Sequence, residues 1–245
     1  MTNYLIDTHC HLHDQEFYRG EKEQVYNDSL AAGVKKMITI GTSVADSLDA
    51  IAFADKHQGV FCSYGVHPEY ADREEPDAFP AKPHKIVAIG EVGLDYHFSS
   101  QSRQAQIKLL ENMLQLAVTH NLPLIFHVRE AFADFWPVLD NFSLSRGAVL
   151  HSFSDNQHNL EQGLKRGFYI GVNGLKTFAN LPTAPLERTL LETDAPYLTP
   201  VPFRGKINKP AYVLEVAKYL AKQHQVPLET IIKTTTQNAE TLFNL

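Results

Sequence analysis

Tyr4-Leu5-Ile6-Asp7-Thr8-His9-Cys10-His11 opens as a short apolar run suited to a β-strand and ends in an acid and two imidazoles. The same arrangement recurs down the chain. Residues 60–64 run into Gly65-Val66-His67, and residues 86–89 into Gly90-Glu91. Residues 123–126 run into His127, residues 147–150 into His151, and residues 188–191 into Glu192-Thr193-Asp194. Ionisable groups spread this way are poor core material. They make sense if the strands are parallel and their C-terminal ends converge on one place. Two further apolar runs, at 36–40 and 168–172, bring the number of strands to eight.

Helical patterns separate most of these runs. Residues 21–32, closed by Gly33, read as a helix, and so do residues 43–57, with Ser43 as N-cap and Asp46 in the first turn. Residues 101–120 carry Ile107, Leu110, Leu114, Ala117 and Val118 at helical spacing. Residues 130–139 read as a helix shortened or bent by Pro137, and residues 156–166, 211–224 and 228–242 complete the set. Between Val172 and Arg188 there are loop signals and little helix, and residues 72–83, rich in acid and proline, read as a surface loop. Strand–helix alternation calls for parallel strands joined by crossovers. Eight such units in 245 residues predict an α/β protein, a closed (β/α)8 TIM barrel, as one domain over residues 1–245. The site is then expected at the C-terminal face of the strands.

Composition narrows the function classes. A hydrophobic fraction of 44% and a charged fraction of 20% suit a water-soluble globular chain. A net charge of −6 argues against a broad basic surface for coating nucleic acid, though not against gripping a few phosphates locally. Two cysteines, Cys10 and Cys62, in no metal-finger spacing suggest a reducing compartment. No signal-like or membrane-spanning stretch stands in the sequence, so the expected location is cytoplasmic, with no membrane and no obligate protein partner.

Alternate residues of a strand face the same way, so Asp7, His9 and His11 are expected to point together into the barrel mouth with Cys10 turned out as a packed thiol. Two histidines at i and i+2 can share a divalent ion, and Asp7 is placed to stand behind one of them and orient it. Glu91 has two oxygens and can bridge two ions; alone it is equally a cap or salt-bridge residue. A single strand-end histidine is usually structural, but His127 and His151 on successive strands, added to the His9/His11 pair, favour a metal site. Asp194, freed at a loop mouth by Pro196, can bind metal and take a proton from water, with Glu192 deeper behind it. Arg129 and the acid-free stretch 201–210, with Arg204, Lys206 and Lys209, supply cations suited to a phosphate, though Lys206 and Lys209 singly read equally well as a solvated loop, and His67 can contact the same substrate. Tyr96, His97 and Phe98 either stack on a base or pack their loop, with packing favoured. His13, His57, His84, His120, His158 and His224 fall outside the pattern and are read as non-functional.

Assembled in order, Asp-Thr-His-Cys-His-Leu (7–12), Gly-Val-His-Pro-Glu (65–69), Gly-Glu-Val-Gly-Leu-Asp-Tyr (90–96), Phe-His-Val-Arg-Glu (126–130), His-Ser-Phe-Ser (151–154) and Glu-Thr-Asp-Ala-Pro-Tyr-Leu (192–198) span nearly the whole chain. This set resembles the TatD family of metal-dependent deoxyribonucleases, within the amidohydrolase-like TIM barrels. The resemblance implies that His9 and His11 bind one divalent ion with Asp194, and that Glu91 bridges to a second held by His127 and His151. Zinc, magnesium and manganese all suit such ligands in some degree. It further implies a 3'-5' exonuclease-like phosphodiesterase acting on single-stranded DNA or frayed ends through metal-activated water. Asp194 and Glu91 would be catalytic, and His67, Arg129 and Arg204 would bind substrate. Arg-Gly-Lys-Ile-Asn-Lys-Pro (204–210) departs at Ile207 and Lys209 from the family's Arg-Gly-Lys-Arg-Asn-Glu-Pro. The same barrel and metals would also serve hydrolysis of a non-DNA ester, amide or lactone. A purely structural metal fits worse, because closed structural zinc sites are cysteine-rich.

Overall fold

The computed structural model describes residues 4–73, 79–80, 84–97 and 102–245. Eight parallel strands form one sheet in chain order: β1 (Leu5–Cys10), β2 (Val34–Thr39), β3 (Val60–Tyr64), β4 (Ile86–Asp95), β5 (Leu124–Arg129), β6 (Ala148–Leu150), β7 (Tyr169–Val172) and β8 (Thr189–Leu191). Helices α1 (Lys22–Ala31), α2 (Val44–Lys56), α3 (Arg103–His120), α4 (Phe132–Leu139) and α5 (Gln157–Lys165) are the crossovers, and α6 (Val213–His224) and α7 (Leu228–Phe243) follow β8. The result is a single-domain α/β barrel. Between β7 and β8 there are only short 3-10 turns, Gly174–Thr177 and Leu186–Arg188, where the loop signals stood. Most of the acidic, proline-rich stretch at 72–83, together with Phe98, lies outside the described residues.

Two apolar layers hold the barrel. Ile6, Ile38, Val87, Ile125, Val149 and Leu190 meet inside it, with Phe61 and Tyr169 packed against them, so every strand contributes. Ala239, Leu242 and Phe243 of α7 join that interior cluster, which makes the last helix part of the barrel's filling. The second layer lies between sheet and helices and includes Leu5, Cys10, Met37, Leu110, Leu114, Phe126, Phe135, Val216 and Leu220. Ser43 caps α2 by accepting the Asp46 N–H, an interaction worth about 1 kcal/mol.

Closure of the barrel is made by the segments that carry the ionisable groups. Thr8 Oγ1 donates to Leu191 O (3.0 Å), Asp194 N–H to His9 O (2.8 Å) and His11 N–H to Ala195 O (2.7 Å). β4 is also longer than its apolar run. It continues through Gly90–Asp95 and pairs Gly93 with His127 and Asp95 with Arg129. Glu91 and His127 therefore sit within strands rather than just beyond them. Gly93 permits this approach: a Cβ there would lie 1.8 Å from His127 O, and φ is +153°.

Candidate metal centre

At β1 strict alternation fails. Ile6 fills the barrel interior, so its neighbour Asp7 begins on the other side, and a register shift between Asp7 and Cys10 then brings His9 and His11 to the mouth. The expectation that Asp7 shares their face and orients an imidazole is not met. Its carboxylate accepts from Thr193 N–H (3.0 Å), Thr193 Oγ1–H (2.6 Å) and His9 N–H (3.3 Å). Asp7 thus ties β1 to the segment after β8. Burial pushes its pKa up to about 8 against those three hydrogen bonds. His11 is oriented by a backbone carbonyl instead: Nδ1 lies 3.2 Å from Ile40 O, which puts the proton on Nδ1 and leaves Nε2 free as a ligand. Cys10 is buried, its thiol 3.5 Å from Ile38 O.

β4 and β5 bring Glu91 and His127 together. His127 Nδ1 lies 2.7 Å from Glu91 Oε1, and Nε2 lies 2.8 Å from Asp95 Oδ2. Asp95 was not singled out from the sequence, yet it stands four residues after Glu91 on the same strand, hence on the same face. An ion held by Glu91 and His127 must replace their direct hydrogen bond. Despite opposing burial, Asp95 and Glu91 raise the His127 imidazole to about 9.

His151 follows β6. Its Nδ1 is 3.0 Å from Glu192 Oε1, close but poorly angled, so the contact is an ion pair rather than a well-formed hydrogen bond. Glu192 is itself fixed by Ser152 N–H (2.8 Å) and Asn173 Nδ2 (3.2 Å). Asp194 has left-handed backbone geometry (φ 57°), uncommon for a non-glycine residue, and its Oδ1 lies 3.5–3.8 Å from Nε2 of His11, His9 and His151.

The spacing shows what this cluster can hold. His9 Nε2 is fully buried, has no hydrogen-bond partner, and stands 3.4 Å from Glu91 Oε2 and 3.6 Å from Asp194 Oδ1. Those distances are long for hydrogen bonds. They match the roughly 3.4 Å between neighbouring ligands of a tetrahedral ion bound at about 2.1 Å. Three triads bring ligand-type atoms within 4.8 Å of one another: His9/His11/Glu91, His9/His151/Asp194 and His67/Glu91/His127. All six proposed ligands belong to one connected cluster. Burial opposes ionisation throughout, yet His151, His9 and His127 hold Glu91 well below the usual carboxylate range, and His151, His11 and His9 depress Asp194. The donor set fits divalent cations that accept nitrogen and oxygen.

His67 stands closer to this cluster than a substrate residue at its edge would. Its ring is edge-on to His127 at 4.4 Å, and burial, then His127, lowers its pKa to about 3. Its Nδ1 accepts the Glu69 N–H at 3.3 Å, so the neutral ring carries its proton on Nε2. Arg129 ends β5 two residues past His127 and is exposed. Arg204 lies over the Phe178 ring at 3.8 Å and donates to Thr199 O at 3.0 Å. Lys209 pairs with Asp28 of α1 at 2.9 Å. Ile207 is exposed. Tyr96 packs its loop, with its hydroxyl on Asp134 and its ring under Arg103, and His97 pairs with Glu130. His13 and His57 are tied to Asp46 and Glu23 and belong to none of the three triads.

A sequence profile described as TatD related DNase matches residues 6–244. The chain belongs to the TatD family of metal-dependent hydrolases. It is 34% identical to an uncharacterized metal-dependent hydrolase of Buchnera aphidicola subsp. Baizongia pistaciae, over 99% of this chain and 97% of that one. It is 32% identical to the 3'-5' ssDNA/RNA exonuclease TatD of Salmonella typhimurium, covering 98% and 99% of the two chains. Among solved structures, the TatD homologue YjjV of Escherichia coli K12 superposes with a TM-score of 0.93 at 30% identity, over 100% of both chains. No helix among the described residues of this TatD-family chain is long and apolar enough to cross a membrane.

Proposed function

We propose that this protein is a two-metal phosphodiesterase that removes nucleotides from the 3' end of single-stranded or frayed DNA. The observation that carries the metal part is the buried His9 Nε2, unpartnered and set at ligand–ligand spacing from Glu91 and Asp194. The likeness to the Salmonella exonuclease supports the choice of substrate. His9, His11 and Asp194 would hold one ion, and Glu91 would bridge to a second held by His127 and His151. Bound there, divalent ions supply Lewis acidity to a phosphoryl oxygen and lower the pKa of water.

The protein's own groups divide the remaining work. Asp194, kept ionised by the surrounding imidazoles, is positioned to accept the proton of the attacking water on its carboxylate. Glu91 is positioned by the pairing of β4 with β5, which Gly93 allows beside His127. Asp95 and Glu192 fix the rings of His127 and His151 from behind. His67 offers its Nε2 proton to the phosphate, and Arg129 and Arg204 balance its charge.

Glu91→Ala and Asp194→Asn are expected to fold, by circular dichroism, and to lose nearly all hydrolysis of a single-stranded oligonucleotide. Full activity in either variant overturns the assignment.

A further inference from the structure

Exposed apolar side chains are unevenly placed. Phe17, Phe178, Tyr197, Val201 and Ile207 lie on the segments after β1, β7 and β8, at the face that carries the ionisable cluster; on the helices, only Leu48 and Val118 are comparably exposed among the described residues. Exposed apolar surface gathered on one face marks a place that binds something.

Two of these rings sit beside the metal centre. Tyr197 is 47% exposed and Phe17 41%, with ring centroids 5.3 Å apart and edge-on. Tyr197 is also edge-on to His11 at 6.0 Å, and its N–H donates to Asp194 O at 2.8 Å. Both ring-bearing segments are fastened to one buried residue. Asn208 Nδ2 donates to Tyr197 O (2.5 Å) and Thr193 O (2.9 Å), while Asn208 O accepts the hydroxyl of Tyr18, next to Phe17. Phe17 N–H is held by Asp14 Oδ1 at 3.0 Å. The backbone that carries each ring is therefore held, while much of each side chain is left to solvent.

The surroundings of the pair are acidic. Asp14 and Glu16 stand just before Phe17 in the chain, and Asp14 Oδ1 accepts the N–H groups of Glu16 and Phe17. Such a place repels phosphate, so a continuing phosphodiester backbone is a poor occupant. A neutral aromatic ring is a good one, and a strand's last nucleotide presents its base with no further phosphate beyond it.

Resting on the nuclease reading above, we propose that Phe17 and Tyr197 form a stacking subsite for the unpaired base of the terminal nucleotide, the one released. An edge-to-face pair offers one ring face to stack on and a second ring as a side wall. Base–aromatic stacking of this kind is sequence-tolerant and changes affinity by about tenfold to a hundredfold.

The test compares oligonucleotides whose 3'-terminal residue carries adenine or is abasic, cut by the metal-loaded wild-type protein, by Phe17→Ala/Tyr197→Ala and by Phe17→Tyr/Tyr197→Phe. The wild type is expected to prefer the base-bearing end by about 10- to 100-fold in kcat/KM, through KM. The alanine pair should lose that ratio and the aromatic pair should keep it. A terminal 2-aminopurine behind a phosphorothioate linkage should be quenched on binding the wild type and not the alanine pair. Equal cutting of both ends by the wild type, or an unchanged ratio in the alanine pair, removes the subsite and leaves the nuclease reading standing. No cutting of either end together with no quenching overturns both.

Discussion

His151 and Glu192 face each other across 3.0 Å, Nδ1 to Oε1, and this contact turns Nε2 of His151 towards Glu91 (3.7 Å) and Asp194 (3.8 Å). Burial opposes a charged ring there, but Glu192, Glu91 and Asp194 together raise His151 to about 10. In Glu192→Gln the Ser152 N–H can still be accepted, while the charge that fixes the ring is gone. Such partners of ligand histidines typically change metal affinity about 10- to 100-fold. Titration of the metal-stripped variant with zinc or manganese should show that loss, with the barrel still folded. Unchanged affinity would mean that His151 is no ligand.

Glu192 can enter its place because β7 carries glycine opposite it. A Cβ on Gly171 would lie 2.2 Å from Glu192 Oε2. Gly171→Ala is expected to destabilise the protein by about 1–3 kcal/mol through overpacking. Adding Glu192→Ala should recover part of that loss in urea unfolding, because it removes the clashing group. Additive effects of the two substitutions would contradict the packing argument.

Asp46 gives a pH dependence of stability. Against burial, His13 at 2.9 Å and the N–H and hydroxyl of Thr42 hold its pKa at about 2. Its unfolded value is about 3.9. A carboxylate depressed by folding stabilises the protein above its unfolded pKa, and that contribution is lost as pH falls through the folded one. The window is therefore pH 4 down to 2. The side chain is about a third exposed, so the contribution is discounted to about 1 kcal/mol. Between pH 5 and pH 2, the wild type should lose about that much more stability than Asp46→Asn in urea unfolding. Parallel losses in the two proteins would count against the pair.

Much of this was legible in the sequence because the strands end in residues a core rejects. His9, His11, Glu91, His127, His151 and Asp194 come together in the structure, and Glu192 stands behind His151. Period-two alternation misplaces Asp7, because it cannot see the register shift between Asp7 and Cys10. β4 runs on past its apolar stretch although Gly90 and Gly93 look like breakers, because Gly93 lets it lie alongside His127. Asp95 could have been found from its even spacing to Glu91. The Phe17–Tyr197 pair could not, because its members are 180 residues apart in sequence and meet only through barrel closure and Asn208.

The proposed activity is metal-dependent removal of nucleotides from the 3' end of a single strand. The most direct measurement follows 5'-labelled single-stranded DNA with metal-stripped protein, alone and re-supplied in turn with magnesium, manganese or zinc. Stepwise shortening of the labelled strand that requires an ion, and that is absent from identically purified Asp194→Asn, is the predicted result. An intact strand with every ion, from folded and metal-loaded protein, would contradict the claim and direct the same centre to a non-DNA ester or amide.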